Sequence, residues 1–278
     1  MGTIMTGPKQ EPKKRSTRLL LPASGYLTGY SYTLNPYVGC VFGCSYCYVR
    51  RMPLALFRGE PWGEWVEAKA FQEADFRREW RRALHKGAVT VFMSSATDPY
   101  QPLEYKQQVT RKLLEIMVEE PPEFLLVQTR SPLVIRDQDL LRQLGSRVRV
   151  SVTIETDLES IRRSLTPAAP PLAARWRTIR ELRKLGVPVQ AAVSPLLPYS
   201  GEFAQRLSEA VDRVVVDDFF RGDGSGGKRS AQLKMEARYG ELGVEGLYTP
   251  QTADQFVEQL TALMPEGAVY FGHAGFMP

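Results

Sequence analysis

The chain has 278 residues, 43% of them hydrophobic and 24% charged, with a formal net charge of +5. That length is enough to bury a sizeable core, and a single α/β barrel of this size is ordinary. No run of about eighteen apolar residues is present, which excludes a transmembrane helix, and the first residues lack the apolar stretch of a secretion signal. The modest positive charge is compatible with nucleic acid, but it is also common among soluble enzymes.

Residues 1–18 are polar and basic and include two prolines, so we predict a flexible tail without a core of its own. The same composition would also suit an arm that binds nucleic acid. Residues 19–278 are predicted to form one domain, since no internal repeat or linker divides them. The first strand is predicted between Tyr26 and Val38, where β-forming residues lead into a loop that contains cysteines.

That loop holds every cysteine of the chain, Cys40, Cys44 and Cys47, in the spacing C-x3-C-x2-C. Soft thiolate ligands suit iron–sulfur clusters, and three of them can hold three irons of a cubane [4Fe–4S] cluster. Because the chain has no fourth cysteine, the fourth iron is open, bound by another type of residue, or occupied by a small molecule. Gly39 and Gly43 allow the backbone to turn sharply and to approach a bulky cofactor.

Two other uses of the cysteines fit the sequence less well. A structural zinc ion normally takes four protein ligands, and the only histidines, His85 and His273, are distant in sequence. A disulfide would pair two cysteines and leave the third alone, in a chain that shows no secretion signal. Free cysteines and an oxygen-sensitive cluster both indicate the reducing cytoplasm.

After the cysteine loop, helical and strand patterns alternate. Helices are predicted at residues 50–57, 75–86, 105–120, 137–144, 158–165, 171–185, 201–210 and 252–264. Strands are predicted at residues 88–93, 124–128, 148–154, 187–193, 211–216 and 268–272, with an extra hairpin strand at 64–71. Residues 221–230 are predicted to be a flexible glycine-rich loop. Alternation of this kind predicts an α/β fold with a parallel sheet and right-handed crossovers.

Polar side chains follow several of the predicted strands. They are Ser94, Ser95, Thr97 and Asp98 after the second strand, Arg130 after the third, and Ser151, Thr153 and Glu155 on and after the fourth, where the period of two places them on one face. Because barrels of this kind place their chemistry at the carboxyl ends of the strands, these residues favour a pocket for a polar cofactor. The alternative is that they only cap helices and form turns.

The predicted helix at 75–86 carries many cations, with Trp80 among them. Such a surface could follow the phosphate backbone of a nucleic acid. It could equally be the solvated outer face of a barrel helix, and the sequence leaves both alternatives open.

The cysteine loop resembles that of the radical S-adenosylmethionine (SAM) enzymes. Their signature is C-x3-C-x-aromatic-C, and Tyr46 occupies the aromatic position here. The resemblance implies a partial (β/α)6 barrel with one [4Fe–4S] cluster, whose open iron is chelated by the amine and carboxylate of SAM. It also implies reductive cleavage of SAM to methionine and a 5′-deoxyadenosyl radical, with electrons from a donor such as flavodoxin or ferredoxin.

A more specific resemblance, from about Tyr30 to Pro198, is to the spore photoproduct lyase-like branch, also labelled DNA repair photolyase-like. The segments that carry it are Tyr46-Cys47-Tyr48, Thr97-Asp98-Pro99-Tyr100-Gln101-Pro102-Leu103-Glu104, Thr129-Arg130-Ser131 with Arg136-Asp137, and Pro195-Leu196-Leu197-Pro198. We therefore expect a radical SAM enzyme that abstracts a hydrogen atom from its substrate, with a DNA lesion of the spore photoproduct type as the leading substrate.

This resemblance also assigns positions around SAM. It implies that Tyr46 and Tyr48 lie against SAM, that Ser94 or Ser95 is at its methionine end, and that Ser151 is near its ribose. Arg130 stands where a lysine is typical and would keep a cation near the SAM carboxylate. The exchange is not neutral, because arginine is a planar fork and lysine a point charge.

One departure concerns the return of a hydrogen atom to the product. The characterised lyases generally use an additional cysteine for this step, and this chain has none to spare. Either a tyrosine such as Tyr100 donates the atom, or SAM is regenerated directly, or the substrate is different.

Two other functions stay open from the sequence. The same core could modify RNA, a peptide or a small metabolite. A protein of another class, which binds nucleic acid and carries a structural or redox-sensing cluster, would explain the cysteines without explaining the polar strand ends. The sequence does not indicate an oligomeric state.

Overall fold

The computed structural model describes residues 18–222 and 225–278, so the predicted basic tail lies outside the described residues except for Arg18. The described strands are β1 Leu20–Pro22, β2 Tyr32–Leu34, β3 Tyr37–Gly39, β4 Val66–Ala68, β5 Thr90–Met93, β6 Phe124–Thr129, β7 Val148–Thr153, β8 Val189–Val193, β9 Val214–Val216 and β10 Val269–Phe271. The described α-helices are α1 Pro53–Leu56, α2 Glu73–Leu84, α3 Glu104–Gln107, α4 Val109–Glu119, α5 Gln138–Leu144, α6 Glu159–Leu165, α7 Leu172–Lys184, α8 Phe203–Ala210, α9 Lys228–Ala231, α10 Met235–Glu241 and α11 Pro250–Leu263.

Eight of these strands form one sheet in the order β1-β2-β5-β6-β7-β8-β9-β10. Neighbouring strands are parallel from β2 to β10, whereas β1 joins the edge antiparallel to β2. Helices connect the successive parallel strands, as the alternating pattern predicts. The predicted α/β partial barrel is confirmed: β2 and β5 to β9 supply its six strands, and β10 adds a seventh parallel strand.

The strands divide their side chains between two cores, with the period of two that an extended backbone imposes. Val91 and Leu125 belong to the larger core between sheet and helices, whereas Phe92 and Leu126 belong to a smaller core inside the barrel. Gln128 follows Leu126 by two positions and therefore lies on the same inner face, close to the carboxyl end of β6. The barrel is therefore apolar inside and becomes polar where its strands end.

The beginning of the domain differs from the prediction. Only Tyr32–Leu34 of the predicted first strand joins the main sheet, and Gly25–Leu27 form a 3-10 helix instead. Gly29 adopts a φ of +116°, a conformation that favours glycine and interrupts the extended run. The edge strand Leu20–Pro22 is not predicted, because three residues are too few to show a pattern.

The single helix predicted at 105–120 is also wrong, because α3 and α4 are separated at Gln108, which has a left-handed φ of +52°. The fully buried carboxylate of Glu104 accepts hydrogen bonds from the backbone N–H groups of Thr110 and Arg111, at 3.0 and 3.2 Å. It thereby caps the first turn of α4, in place of the carbonyls that a continuous helix would supply.

The basic helix α2 is a barrel helix with an ion-paired outer face. Trp80 is fully buried and donates from Nε1 to the backbone carbonyl of Glu120 at 2.8 Å. Arg77 pairs with Glu119 at 2.5 Å, and Arg81 pairs with the carboxylate of Glu120 at 2.7 Å. A buried tryptophan cannot stack on a base and paired arginines are less available to phosphates, so this face is better explained as solvated surface.

The segment after β9 covers the cysteine loop. Within the predicted flexible loop at 221–230, residues 223–224 lie outside the described residues, and α9 begins at Lys228. Met235 and Tyr239 of α10 are buried in one core with Phe42 and Tyr46 of the cysteine loop. Of the helices that the structure describes, none has both the length and the apolar character to cross a membrane.

Candidate active site

The cysteine loop leaves the end of β3 and is framed by the antiparallel pair of β3 and β4, in which Gly39 is opposite Val66. Gly39 has a φ of +81°, and a Cβ atom there would lie 2.4 Å from the Trp65 ring. Gly43 has a φ of +57°, and a Cβ atom there would lie 3.1 Å from Cα of Gly63. Both glycines therefore allow turns and close approaches that other residues would obstruct.

The three cysteines are free and line one cavity. Cys44 is buried, whereas Cys40 and Cys47 are partly exposed. Arg50 holds the loop in place by donating to the backbone carbonyls of Cys44 and Gly43, at 2.8 and 2.5 Å. Burial and the neighbouring Cys44 raise the pKa values of Cys40 and Cys47, the latter to about 11. A positive partner such as iron would favour the thiolate forms.

The cavity has a volume of about 530 Å³ and lies where the parallel strands end. Its polar lining includes Ser94, Ser95, Thr97 and Asp98 after β5, Gln128, Thr129 and Arg130 at β6, Thr153 at β7, Ser194 after β8 and Asp217 after β9. The topology thus brings to one place the side chains that follow different strands, as expected for the carboxyl ends of a parallel barrel.

Three buried oxygen atoms on this lining have no hydrogen-bond partner among the described residues: Ser94 Oγ, Thr97 Oγ1 and Gln128 Oε1. Buried polar atoms are nearly always paired, so such a set fits a polar ligand in the cavity. Ser94 also has a φ of +75°, a strained conformation for this residue type that is often found at ligand sites.

The cysteines fit a cluster better than a single metal ion. Within the described residues, no three His, Cys, Asp or Glu side chains converge as they would around one ion. A cubane cluster does not require such convergence, because each thiolate binds a different iron. Three thiols on one cavity, beside unpaired polar atoms, therefore fit a [4Fe–4S] cluster with a polar ligand next to it.

Asp98 connects two of the strand ends. Its carboxylate accepts hydrogen bonds from Thr129 Oγ1 at 2.8 Å and from the backbone N–H groups of Arg130 and Tyr100 at 2.9 Å. Burial raises the pKa of Asp98, and these hydrogen bonds oppose the rise. Asp98 therefore fixes the loop after β5 to the end of β6 and positions the backbone at Arg130.

Arg130 joins the cysteine loop to a buried charge network. Its Nη1 lies 3.0 Å from Cys44 Sγ, 3.0 Å from Tyr46 Oη and 2.6 Å from Glu155 Oε1. The Tyr46 hydroxyl also donates to Oε1 of Glu155, and Arg175 Nη1 lies 2.6 Å from its Oε2. Burial acts to raise the pKa of Glu155, but the charges of Arg130 and Arg175 prevail and lower it to about 2.

Three residues selected from the sequence do not line the cavity. Ser151 is fully buried two positions before Thr153, and its hydroxyl accepts from Gln190 Nε2 at 2.9 Å. Tyr46 lies behind the cysteine loop in the network described above. Tyr100 is fully buried in the core between sheet and helices. The selected residues that do line it are Cys40, Cys44, Cys47, Tyr48, Ser94, Ser95, Thr97, Asp98, Arg130 and Thr153.

Glu155 is predicted at the strand ends by the same period of two as Ser151 and Thr153, and the structure places it in the charge network at the cysteine loop. Asp217 is missing from the sequence-based set but had a detectable signal, because it follows β9 as the other polar residues follow their strands. Arg175 has no such signal, because it lies on α7, twenty residues after its partner Glu155.

Asp217 is a second titratable group of the cavity and is only 3% exposed. The Tyr26 hydroxyl donates to its Oδ2 at 3.4 Å, and the backbone N–H of Asp218 donates to its Oδ1 at 2.9 Å. Burial raises the pKa of Asp217 to about 7. Its charge therefore changes near neutral pH, whereas Glu155 stays ionised there.

The replacement Asp217→Asn is expected to remove part of the pH dependence of stability. Between pH 3.8 and about 7 the unfolded chain has released this proton and the folded protein retains it, so stability falls as the pH rises through this window. The variant does not have this loss. Its free energy of unfolding should therefore rise relative to that of the parent by up to about 4 kcal/mol between pH 3.8 and about 7, and the difference should stay constant above that range. Urea titrations of the cluster-free protein measure this.

Asp212→Asn is the matched control, because Asp212 is exposed and pairs with Arg183 at the surface. A surface carboxylate contributes little to stability, so this variant should follow the parent at every pH. A difference between Asp217→Asn and the parent that is the same at every pH would mean that Asp217 is not held protonated by its surroundings.

The family model of the Radical SAM superfamily matches residues 34–214. The uncharacterized protein ORF301 of Acidianus two-tailed virus is 35% identical over 175 residues, which are 60% of this chain and 56% of that protein. The uncharacterized protein MJ0683 of Methanocaldococcus jannaschii is 30% identical over 172 residues, or 62% of each chain. The chain thus spans less than two thirds of the length of either relative.

Solved structures of spore photoproduct lyase have a similar fold. A mutant of that enzyme matches with a TM-score of 0.66 over 93% of this chain and 79% of its own, at 13% identity. Spore photoproduct lyase complexed with dinucleoside spore photoproduct gives a TM-score of 0.62 with the same coverage and identity. At this identity the likeness shows a shared fold and no more.

Proposed function

This chain belongs to the radical SAM superfamily, and from that premise we propose that it cleaves SAM reductively at a [4Fe–4S] cluster held by Cys40, Cys44 and Cys47. When bound, the cluster would supply the electron that splits SAM into methionine and a 5′-deoxyadenosyl radical, which abstracts a hydrogen atom from the substrate. The observation that carries this proposal is the cavity itself. It combines three free thiols with three buried oxygen atoms that are unpaired among the described residues.

The residues of the cavity would bind and orient SAM. Ser94 and Thr97 offer hydroxyl groups, and Gln128 offers a carbonyl oxygen that can accept a hydrogen bond from an amino group. Arg130 keeps a cation at the cysteine loop, where it would balance thiolates and the carboxylate of SAM. Further side chains that line the same space are Tyr48, Ser95, Asp98 and Thr153.

A DNA lesion of the spore photoproduct type is the substrate that we propose. This substrate is supported by the sequence motifs that resemble the spore photoproduct lyase-like branch. It is also supported by the similarity of the fold to that of spore photoproduct lyase complexed with dinucleoside spore photoproduct. Because the chain has only three cysteines, another group must return the hydrogen atom to the product. Tyr26 and Tyr48 line the cavity, whereas the buried Tyr100 would have to act through another residue.

The reaction needs one electron per cleavage. We propose that a donor such as flavodoxin or ferredoxin delivers it in the cytoplasm, where the three free thiols would stay reduced.

Anaerobic reconstitution with iron and sulfide, followed by dithionite reduction and chromatography for 5′-deoxyadenosine, tests the reaction. We expect 5′-deoxyadenosine that depends on SAM and on the cluster. DNA irradiated in the dry state then tests the substrate, with unirradiated DNA as the control. A reconstituted cluster that yields no 5′-deoxyadenosine would instead support a nucleic-acid-binding protein with a structural or redox-sensing cluster. Cleavage of SAM without lesion repair would support modification of RNA, a peptide or a small metabolite.

A further inference from the structure

Two arginines lie inside the barrel at its amino end, which is the end opposite the cavity with the cysteines. Arg149 is the second residue of β7 and shares its inner face with Ser151 and Thr153, whereas Arg213 directly precedes β9. Thr153 lines the cavity, so Arg149 lies four residues, or about 13 Å, from it along the strand. We call Arg149 and Arg213 the arginine pair.

The two guanidinium groups converge on one region of the inner core. Arg149 Cζ lies 5.0 Å from the centroid of the Phe124 ring, and Arg213 Cζ lies 3.6 Å from the centroid of the Tyr270 ring. Burial raises the pKa of the Tyr30 hydroxyl, and the positive charges of both arginines oppose that rise. Both charges therefore act on the same hydroxyl group, and the two guanidinium groups lie close to each other.

No carboxylate in the described part of the chain balances these two charges. Burial and the charge of Arg213 lower the pKa of Arg149, and no described carboxylate opposes them. The acidic residues that directly precede β6 and Arg213 each pair with an exposed arginine instead: Glu123 with Arg147 at 3.6 Å, and Asp212 with Arg183 at 2.5 Å. The arginine pair is thus a pair of like charges that lacks a counter-charge within residues 18–222 and 225–278.

The hydrogen-bond donors of Arg149 also lack acceptors among the residues that the structure describes. Its buried Nη1 has no partner, and the Phe124 ring attracts the charge but offers no oxygen lone pair to an N–H group. Arg213 is better satisfied, because its Nε donates to Gln190 Oε1 at 2.9 Å and its Nη2 to the backbone carbonyl of Gly275 at 3.4 Å. Buried charges are normally paired and hydrogen-bonded, so this arrangement indicates a bound anion.

We propose that the arginine pair binds a divalent oxyanion of the phosphate class. Both side chains are only partly buried, so an ion can reach them from solvent. Arginine N–H groups match the oxygen atoms of phosphate in geometry and charge, whereas a monovalent carboxylate would balance only one of the two cations. This site is separate from the cavity with the cysteines, and the inference does not depend on the proposed function.

Isothermal titration calorimetry of the full chain, reconstituted anaerobically, tests the site with inorganic phosphate at about pH 8, where phosphate is mostly divalent. We expect saturable binding that Arg149→Met weakens about tenfold or more, because charge-assisted hydrogen bonds are lost. Arg213→Met should weaken binding in the same way. Arg147→Met is the matched control, since Arg147 is exposed and pairs with Glu123, and it should bind phosphate like the parent.

A second probe, glycerol phosphate, distinguishes the two sources of a phosphate group. Binding of both probes with loss of both in Arg149→Met would show that the site accepts phosphate monoesters. Binding of inorganic phosphate alone would show a site for the free ion. Either result supports the site, whereas acetate at the same ionic strength should bind to neither the parent nor the variants.

Stability separates a ligand site from a structural role of Arg149. Without phosphate, the urea midpoint of Arg149→Met should be at least that of the parent, because an apolar side chain replaces a buried cation that has no partner. Phosphate should then raise the midpoint of the parent and of Arg147→Met, but not that of Arg149→Met. Three results would each overturn the proposal: no phosphate binding by the parent beyond the effect of sodium chloride at the same ionic strength, equal binding by Arg149→Met, or a lower midpoint of Arg149→Met without phosphate.

Discussion

Replacing Cys44 with alanine is expected to abolish the absorbance at about 400 nm that reconstituted [4Fe–4S] proteins show. The same replacement should abolish all formation of 5′-deoxyadenosine. Cys44 is one of only three cysteines in the chain. Because one iron of the cluster already has no thiolate ligand, we expect that the loss of a second thiolate prevents the cluster from binding. Anaerobic reconstitution, absorbance spectroscopy and iron analysis of parent and variant measure the effect.

Ser45→Ala is the matched control, because Ser45 is the next residue of the same loop and brings no sulfur. Its hydroxyl has no partner among the described residues, so its removal should leave the loop and the cluster in place. An unchanged spectrum in Cys44→Ala would contradict the cluster assignment. A lost spectrum in both variants would show that the assay reports the fold of the loop and not the thiolate.

The cysteine motif and the strands could be predicted because both signals are local in sequence. The predictions at 124–128 and 148–154 agree with β6 and β7 within one residue, since strands buried on both faces are nearly continuous apolar runs. The parallel topology then brings their carboxyl ends together. Asp98 and Thr129 therefore form a hydrogen bond although they lie 31 positions apart in the chain.

Contacts between side chains of distant elements could not be predicted in the same way. Glu155 pairs with Arg130 after β6 and with Arg175 on α7, and no local pattern separates these arginines from the many exposed ones. The break in the helix at Gln108 likewise depends on the buried carboxylate of Glu104, which caps the following helix. Helix propensity alone favours a continuous helix there, and tertiary contacts override it.

Glu155→Gln is expected to lower the free energy of unfolding by about 3–5 kcal/mol, because removing one partner of a buried ion pair leaves the other charge without compensation. Here the uncompensated charges are those of Arg175, which is fully buried, and of Arg130 beside Cys44. Urea titration of the cluster-free protein measures the change in the free energy of unfolding, which follows from the shift of the midpoint when the m value is constant. Because Arg130 would lose its anchor at the cysteine loop, we also expect reconstitution to be slower or incomplete.

The control for this prediction is Glu119→Gln, which breaks the exposed pair with Arg77 and should cost no more than about 1 kcal/mol. Adding Arg175→Met to Glu155→Gln should recover part of the loss, because it removes one buried charge that has no partner.

The pH dependence of the free energy of unfolding distinguishes a loss of charge pairing from a loss of packing. A carboxylate with a pKa lowered from 4.5 to about 2 stabilises the protein fully above pH 4.5 and progressively less as the pH falls to about 2. The gap between parent and Glu155→Gln should therefore be constant near neutral pH and narrow in acid, whereas a loss due only to packing would not change with pH.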